Sequence, residues 1–126
     1  MTSFAGCLAR MALAAGLAAA GIAGAQAAGA LAVGSCGAYG FAYDYQAATA
    51  ARTAALGKCK ALGCKVVTAM RNSCAAFAID AHNACGPNGY AAAVRLGQAQ
   101  NSALRQCYRY GGKDCVIRAW VCDVKG

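Results

Sequence analysis

Hydrophobic and polar positions follow two periods along this chain, and the same order of periods appears twice. A short apolar run at 30–33 leads into a glycine-rich turn at 34–40. Phe41, Tyr43 and Tyr45 then alternate with Ala42 and Asp44, the period-two pattern of a half-buried strand. From 46 to about 62 the spacing turns helical. Ala48, Ala51, Ala55, Leu56 and Cys59 form a stripe, with Arg52, Lys58 and Lys60 off it. Gly63 stands where a C-terminal helix cap is expected. The run 64–70 predicts a strand with Val66, Thr68 and Met70 on one face.

The series then restarts. Residues 75–79 take the place of the first strand, 82–89 read as a turn holding the single proline, Pro87, and 90–96 read as the second strand. Residues 98–110 predict a helix closed by Gly111 and Gly112, and 115–122 a last strand. On that strand Cys115, Ile117, Ala119 and Val121 share one face, and Val116, Arg118 and Trp120 the other. The expected fold class is therefore α+β: tandem duplicated β-β-α-β units at about 30–73 and 74–122. They would supply about six strands in an antiparallel or mixed sheet, with both helices on one face, stapled by disulfides.

Cysteines reinforce the repeat. Cys36 answers to Cys85 at an offset of 49, Cys59 to Cys107 at 48, Cys64 to Cys115 at 51 and Cys74 to Cys122 at 48. The ninth, Cys7, lies in a segment expected to be removed. An apolar run at 11–24 ends in Ala25-Gln26-Ala27, a small-x-small cleavage signature, so 1–27 read as a secretory signal peptide and 28–126 as one disulfide-rich domain. The run is too short to span a bilayer, which leaves no transmembrane segment in the mature chain. Val33-Gly34-Ser35-Cys36 loosely matches a lipoprotein processing site, but it is far from the apolar run. Eight cysteines in an exported chain of this size predict four disulfides and a periplasmic or extracellular location. Cys59–Cys64 and Cys107–Cys115 are natural local bonds. Cys36, Cys74, Cys85 and Cys122 stay open between Cys36–Cys85 with Cys74–Cys122 and Cys36–Cys74 with Cys85–Cys122.

Charge narrows the partners. Twelve Lys and Arg against four Asp and Glu give a formal charge of +8, and glutamate is absent altogether. Such a balance favours an acidic protein or an anionic envelope polymer. Nucleic acid is a poor fit for an exported protein, although basic and aromatic residues together could stack and pair with it. One histidine, and cysteine spacings without a Cys-x2-Cys pair, argue against a metal site, and no cofactor motif is present.

Several of these segments resemble a known bacterial family. Gly37-Ala38-Tyr39-Gly40, Gly63-Cys64-Lys65-Val66-Val67, Arg71-Asn72-Ser73-Cys74-Ala75 and Gly111-Gly112-Lys113-Asp114-Cys115 look like the domain-of-unknown-function 4189 family of small exported bacterial domains. The resemblance runs from about 30 to 122. It implies export and an α+β disulfide domain, and it carries no catalytic or binding residues. This chain departs from the family's commoner pattern by adding the Cys36/Cys85 pair and by lacking acidic residues along its helices.

Candidate chemistry is sparse. Asp44 and Asp80 could form a carboxylate pair, His82 is the single histidine, and an unpaired cysteine could act as a nucleophile. Together they define one reading, a small envelope hydrolase or thiol-dependent enzyme. Asp44 fits a strand face or a helix cap better, and His82 a solvated turn. Binding has more material, since Arg118 and Trp120 share a strand face and are the residue types that dominate interfaces. The leading expectation is a non-catalytic exported interaction domain with a basic, aromatic surface. Arg71, Arg118 and Trp120 are its contact residues, and its specific form is an inhibitor or immunity-type protein for an envelope enzyme or toxin.

Overall fold

A computed structural model describes residues 27–123. The expected signal peptide lies outside the described residues except for Ala27. The chain order is β1 (Ala28–Val33), a 3-10 turn (Ser35–Gly37), β2 (Tyr39–Tyr45), α1 (Ala48–Lys58) and β3 (Lys65–Met70), then β4 (Ser73–Asp80), β5 (Asn83–Ala93), α2 (Leu96–Arg109) and β6 (Cys115–Asp123). The fold is α+β, with two antiparallel three-stranded sheets ordered β2-β1-β3 and β5-β4-β6.

Side-chain alternation explains the layering. In β1, Leu31 and Val33 point one way and Ala28, Ala30 and Ala32 the other, and every residue of the strand is buried. Leu31 and Val33 meet Met70, Phe77, Ile79, Ala119 and Val121 in a core between the two sheets. The alanines meet Ala51 and Ala55 of α1 on the outer face of the first sheet. Ala76 and Ala78 of β4 likewise meet Ala99 and Ala103 of α2. The result is four layers, helix–sheet–sheet–helix. Each helix covers its own sheet, so the helices lie on opposite outer faces rather than on one face of a single sheet. A large-residue core inside and alanine seams outside produce that arrangement.

The seams are close because a glycine faces each helix. A Cβ placed on Gly40 would meet the carbonyl oxygen of Ala55 and lie 2.6 Å from the nitrogen of Cys59. A Cβ on Gly89 would meet the oxygen of Ala103 and lie 2.7 Å from the nitrogen of Cys107. Backbone therefore packs on backbone at both seams.

Three local expectations change. The segment 82–89 is not a long turn: the chain reverses at Ala81 and His82, and 83–93 is a strand. Pro87 fits there because β5 is an edge strand and needs no ladder donor at that position. Second, Cys115, Ile117, Ala119 and Val121 do not share a face. Phe77 pairs with Ala119 and Ala78 with Ile117, so Arg118 is the extra residue of a bulge. Cys115 and Ile117 then face α2, and Ala119 and Val121 face the inter-sheet core. Third, the same occurs in β3. Leu31 pairs with Thr68 and Ala32 with Val66, so Val67 bulges, and Val66 and Met70 belong to opposite layers.

The disulfides are Cys36–Cys85, Cys59–Cys64, Cys74–Cys122 and Cys107–Cys115. Cys36–Cys85 ties the β1–β2 turn to β5. Cys74 and Cys122 are register partners on adjacent strands of the second sheet. They are thus two positions within one half, not matching positions of two halves.

Candidate functional site

The edge strands β2 and β6 run beside each other along one side of the sandwich. Tyr39, Phe41 and Tyr43 project from β2 at every second position and form a ladder, with ring centroids 6.1 and 6.4 Å apart. Phe41 is half-buried against the inter-sheet core, whereas Tyr43 is 56% exposed. Across from them Trp120, 52% exposed, rises from β6. Phe41, Tyr43, Trp120, Val121 and Cys122 line a groove of about 340 Å³.

Arg118 sits at one end of this ladder because its bulge re-aims it. Its Nε donates to the carbonyl oxygen of Gly37 at 3.1 Å, and its guanidinium lies 5.4 Å from the Tyr39 ring centre. The groove is thus lined by apolar and aromatic residues, and the cation stands beyond it, beside Tyr39 at the end of the aromatic ladder. All ten Lys and Arg between 27 and 123 are exposed. Two of the carboxylates in that span, Asp80 and Asp123, are buried. The surface field is accordingly positive.

The structure brings Trp120 and Arg118 to the same edge and leaves Arg71 elsewhere. Arg71 lies in the turn between β3 and β4, where its N–H meets Ser73 Oγ at 3.3 Å, and lines neither the groove nor the cleft described below. Phe41 joins the site without having been singled out. The period-two aromatic ladder was its signal, but that pattern does not tell which neighbouring strand faces it.

The carboxylate candidates are not a pair. Asp44 N–H bonds Asp123 Oδ1 at 3.2 Å, and Asp123 pairs with Ser73, at the start of β4. Asp80 ends that strand, seven residues or about 23 Å away. Asp80 accepts from the backbone N–H of Lys113 at 3.0 Å and of His82 at 2.9 Å. Those two bonds hold its carboxyl below the usual carboxylate range, the Lys113 bond most strongly, with the His82 charge adding to them. His82 itself is exposed, 3.0 Å from an Asp114 carboxylate oxygen. The eight cysteines among the described residues are all bonded. Among the described residues no cluster of His, Cys, Asp or Glu could hold a metal, and no helix is long and apolar enough to cross a membrane.

On the opposite edge a cleft of about 470 Å³ with a mixed lining separates the two sheets, with Val33, Leu62 and Lys65 on one wall and Asn88, Gln106 and Tyr110 on the other. Gln106 Oε1 accepts the Tyr90 N–H at 2.6 Å, which occupies a strand-edge donor with a helix side chain.

Comparison with known proteins gives two matches. The model of the family described as "Domain of unknown function (DUF4189)" matches residues 28–122. The NMR structure of Rv1813c from Mycobacterium tuberculosis is similar, with 25% sequence identity, a TM-score of 0.55, and coverage of 78% of this chain and 76% of that one. No curated protein matches.

Proposed function

The chain belongs to the DUF4189 family, and from that premise we propose that it is an exported, non-catalytic binding domain whose β2–β6 edge takes an extended acidic segment of an envelope protein. The observation that carries the reading is the groove itself. Two large aromatics, Tyr43 and Trp120, stand more than half exposed beside a half-buried Phe41, with a guanidinium at the end of the ladder. Exposed aromatics grouped in a groove are the usual anchors of interfaces. Open strand edges accept an added strand, and the surrounding positive surface selects an acidic one. Inhibition of an envelope enzyme or toxin is the specific form that such occupation would take. Four disulfides are consistent with a compartment outside the cytoplasm.

The two halves are read as one duplicated unit. Supporting this are the shared order β-β-α-β, the shared strand order with the first strand central, the equivalent bulges at Val67 and Arg118, and the equivalent seam glycines Gly40 and Gly89.

The test is photo-crosslinking from position 43 in envelope extracts, followed by titration of a peptide from the captured protein. Trp120→Ala is expected to weaken that peptide by about 30-fold, the loss typical of a ~2 kcal/mol anchor, with little change in folding. Binding that survives both Trp120→Ala and Tyr43→Ala would remove the groove from the mechanism. An activity lost in Asp80→Asn and kept in Trp120→Ala would favour an enzyme instead.

A further inference from the structure

Asp123 is 3% exposed, and its two carboxylate oxygens are unequally served. Oδ1 accepts the Asp44 N–H, while Oδ2 is buried with no hydrogen-bond partner, the one such side-chain atom among the described residues. A buried carboxylate oxygen without a donor is costly, and natural proteins rarely leave one so. Its surroundings show what could serve it. A Cβ placed on Gly29 would lie 3.2 Å from Asp123 Cβ, so Asp123 rests against the start of β1. One residue before Gly29 is Ala28, 1% exposed and paired with Tyr45 beside Asp44. Of the charged groups on the flanking elements, Asp44 on β2, Asp123 on β6 and Arg71 after β3 are at this end, whereas Lys65 of β3 pairs with Val33 at the far end of β1 and Arg118 of β6 is held at Gly37.

We propose that Asp123 is the receptor for the α-ammonium group of Ala28, created when the leader is cut between Ala27 and Ala28, so that processing completes the fold. The inference rests on the export reading for its cleavage site. Hydrolysis adds one water across the amide: the Ala27 carbonyl takes the oxygen and leaves as a carboxylate. The Ala28 nitrogen takes up a proton and becomes an ammonium group at neutral pH. Before the cut this nitrogen is a neutral amide with one hydrogen. Afterwards it carries three N–H donors and a positive charge, one residue before Gly29, against which Asp123 rests with an Oδ2 that lacks a donor. A charge-assisted bond is among the stronger ones available at a partly buried site. The arrangement also has a logic for export. A precursor holding an unpaired buried carboxylate folds less tightly and suits passage as an unfolded chain, and the mature form gains its last ion pair where its disulfides form.

The experiment compares oxidised protein beginning at Ala28, released from a fusion that leaves a native terminus, with protein that retains residues 25–27. The mature chain should unfold at a midpoint several degrees higher at neutral pH. An α-amine paired in the folded state has its pKa raised. The added stability should then be full below the unfolded α-amine value of about 7.7–8.0 and be lost as pH rises through the higher folded value. Asp123→Asn should erase the difference between the two chains. If that variant does not fold, the acylation rate of the Ala28 amine with pH in the unaltered chain gives the same answer. An amine titrating at its ordinary value, or equal stability of the two chains, overturns the pairing. So does a difference that persists in Asp123→Asn. N-terminal sequencing of the exported protein reports separately on the cleavage site, so failure of the export reading is distinguishable from failure of the pairing.

Discussion

Asp80 shows how a carboxylate in a suggestive place becomes structural. It closes the corner where β4 ends, accepting one backbone N–H from the β4–β5 turn and one from the loop that enters β6. Both bonds favour the ionised form, so its pKa lies below the ordinary value of 3.8. A depressed pKa contributes stability above the unfolded value, and that stability is lost as pH falls through the folded one. Asp80→Asn, which replaces one acceptor by a donor facing an N–H, should lower the unfolding midpoint at neutral pH. The difference between variant and parent should close only below pH 3.8, as followed by circular dichroism across a pH series. Sequence alone allowed Asp80 a catalytic part, because residue type and spacing say nothing about which donors a side chain will meet.

At the scale of elements, the helix–strand seams are set by glycine and alanine. Gly40 and Gly89 let α1 and α2 approach to backbone contact, and Ala51, Ala55, Ala99 and Ala103 fill what remains. Gly89→Ala should therefore destabilise by about 1–3 kcal/mol through overpacking, seen as a lower denaturant midpoint with an unchanged slope. Gly57→Ala makes the control. Its Cβ meets nothing within 4 Å, and alanine is the better helix former, so α1 should tolerate it or gain slightly. Much of this level was legible beforehand. The period-two and helical stretches located five of the six strands and both helices to within a few residues, whereas Gly40 and Gly89 read as turn residues and lie in strands. Two devices were hidden. A bulge adds one residue and reverses the phase of alternation, so Val67 and Arg118 could not be found from periodicity that assumes an unbroken strand. Pro87 and its glycine neighbours signal a turn in isolation, and only the edge position of β5 makes them compatible with a strand.

For the whole molecule, the disulfides divide by span. Cys59–Cys64 and Cys107–Cys115 close separations of 5 and 8 residues, whereas Cys36–Cys85 and Cys74–Cys122 close 49 and 48. Chain entropy in the unfolded state makes the long closures worth about 4 kcal/mol each and the five-residue one about 2 kcal/mol. Cys36→Ser with Cys85→Ser should consequently lower the thermal midpoint more than Cys59→Ser with Cys64→Ser, as scanning calorimetry would record. Cysteine spacing made the two local bonds natural and left Cys36, Cys74, Cys85 and Cys122 open between two patterns, of which the structure has Cys36–Cys85 with Cys74–Cys122. Cys36, in the turn after β1, bonds to Cys85 on β5 of the other sheet, while Cys74 and Cys122 are neighbours in one sheet. The groove was partly readable in the same way: Trp120 and Arg118 follow from strand position, but their meeting with Phe41 and Tyr43 depends on which edges the two sheets align.

The two long bonds also determine how the domain answers to pulling. Ala28 and Asp123 lie at the same corner, so tension applied to the two ends would peel β1 and β6 from their neighbours. The shortest covalent route between them follows the backbone to Cys36, crosses to Cys85, returns to Cys74 and crosses to Cys122. That route holds about 23 residues, so the oxidised domain can lengthen to about 80 Å, against about 330 Å for the reduced chain. Tethered between two anchors, it would behave as a short inextensible link, and a reductant would turn it into a long, compliant one.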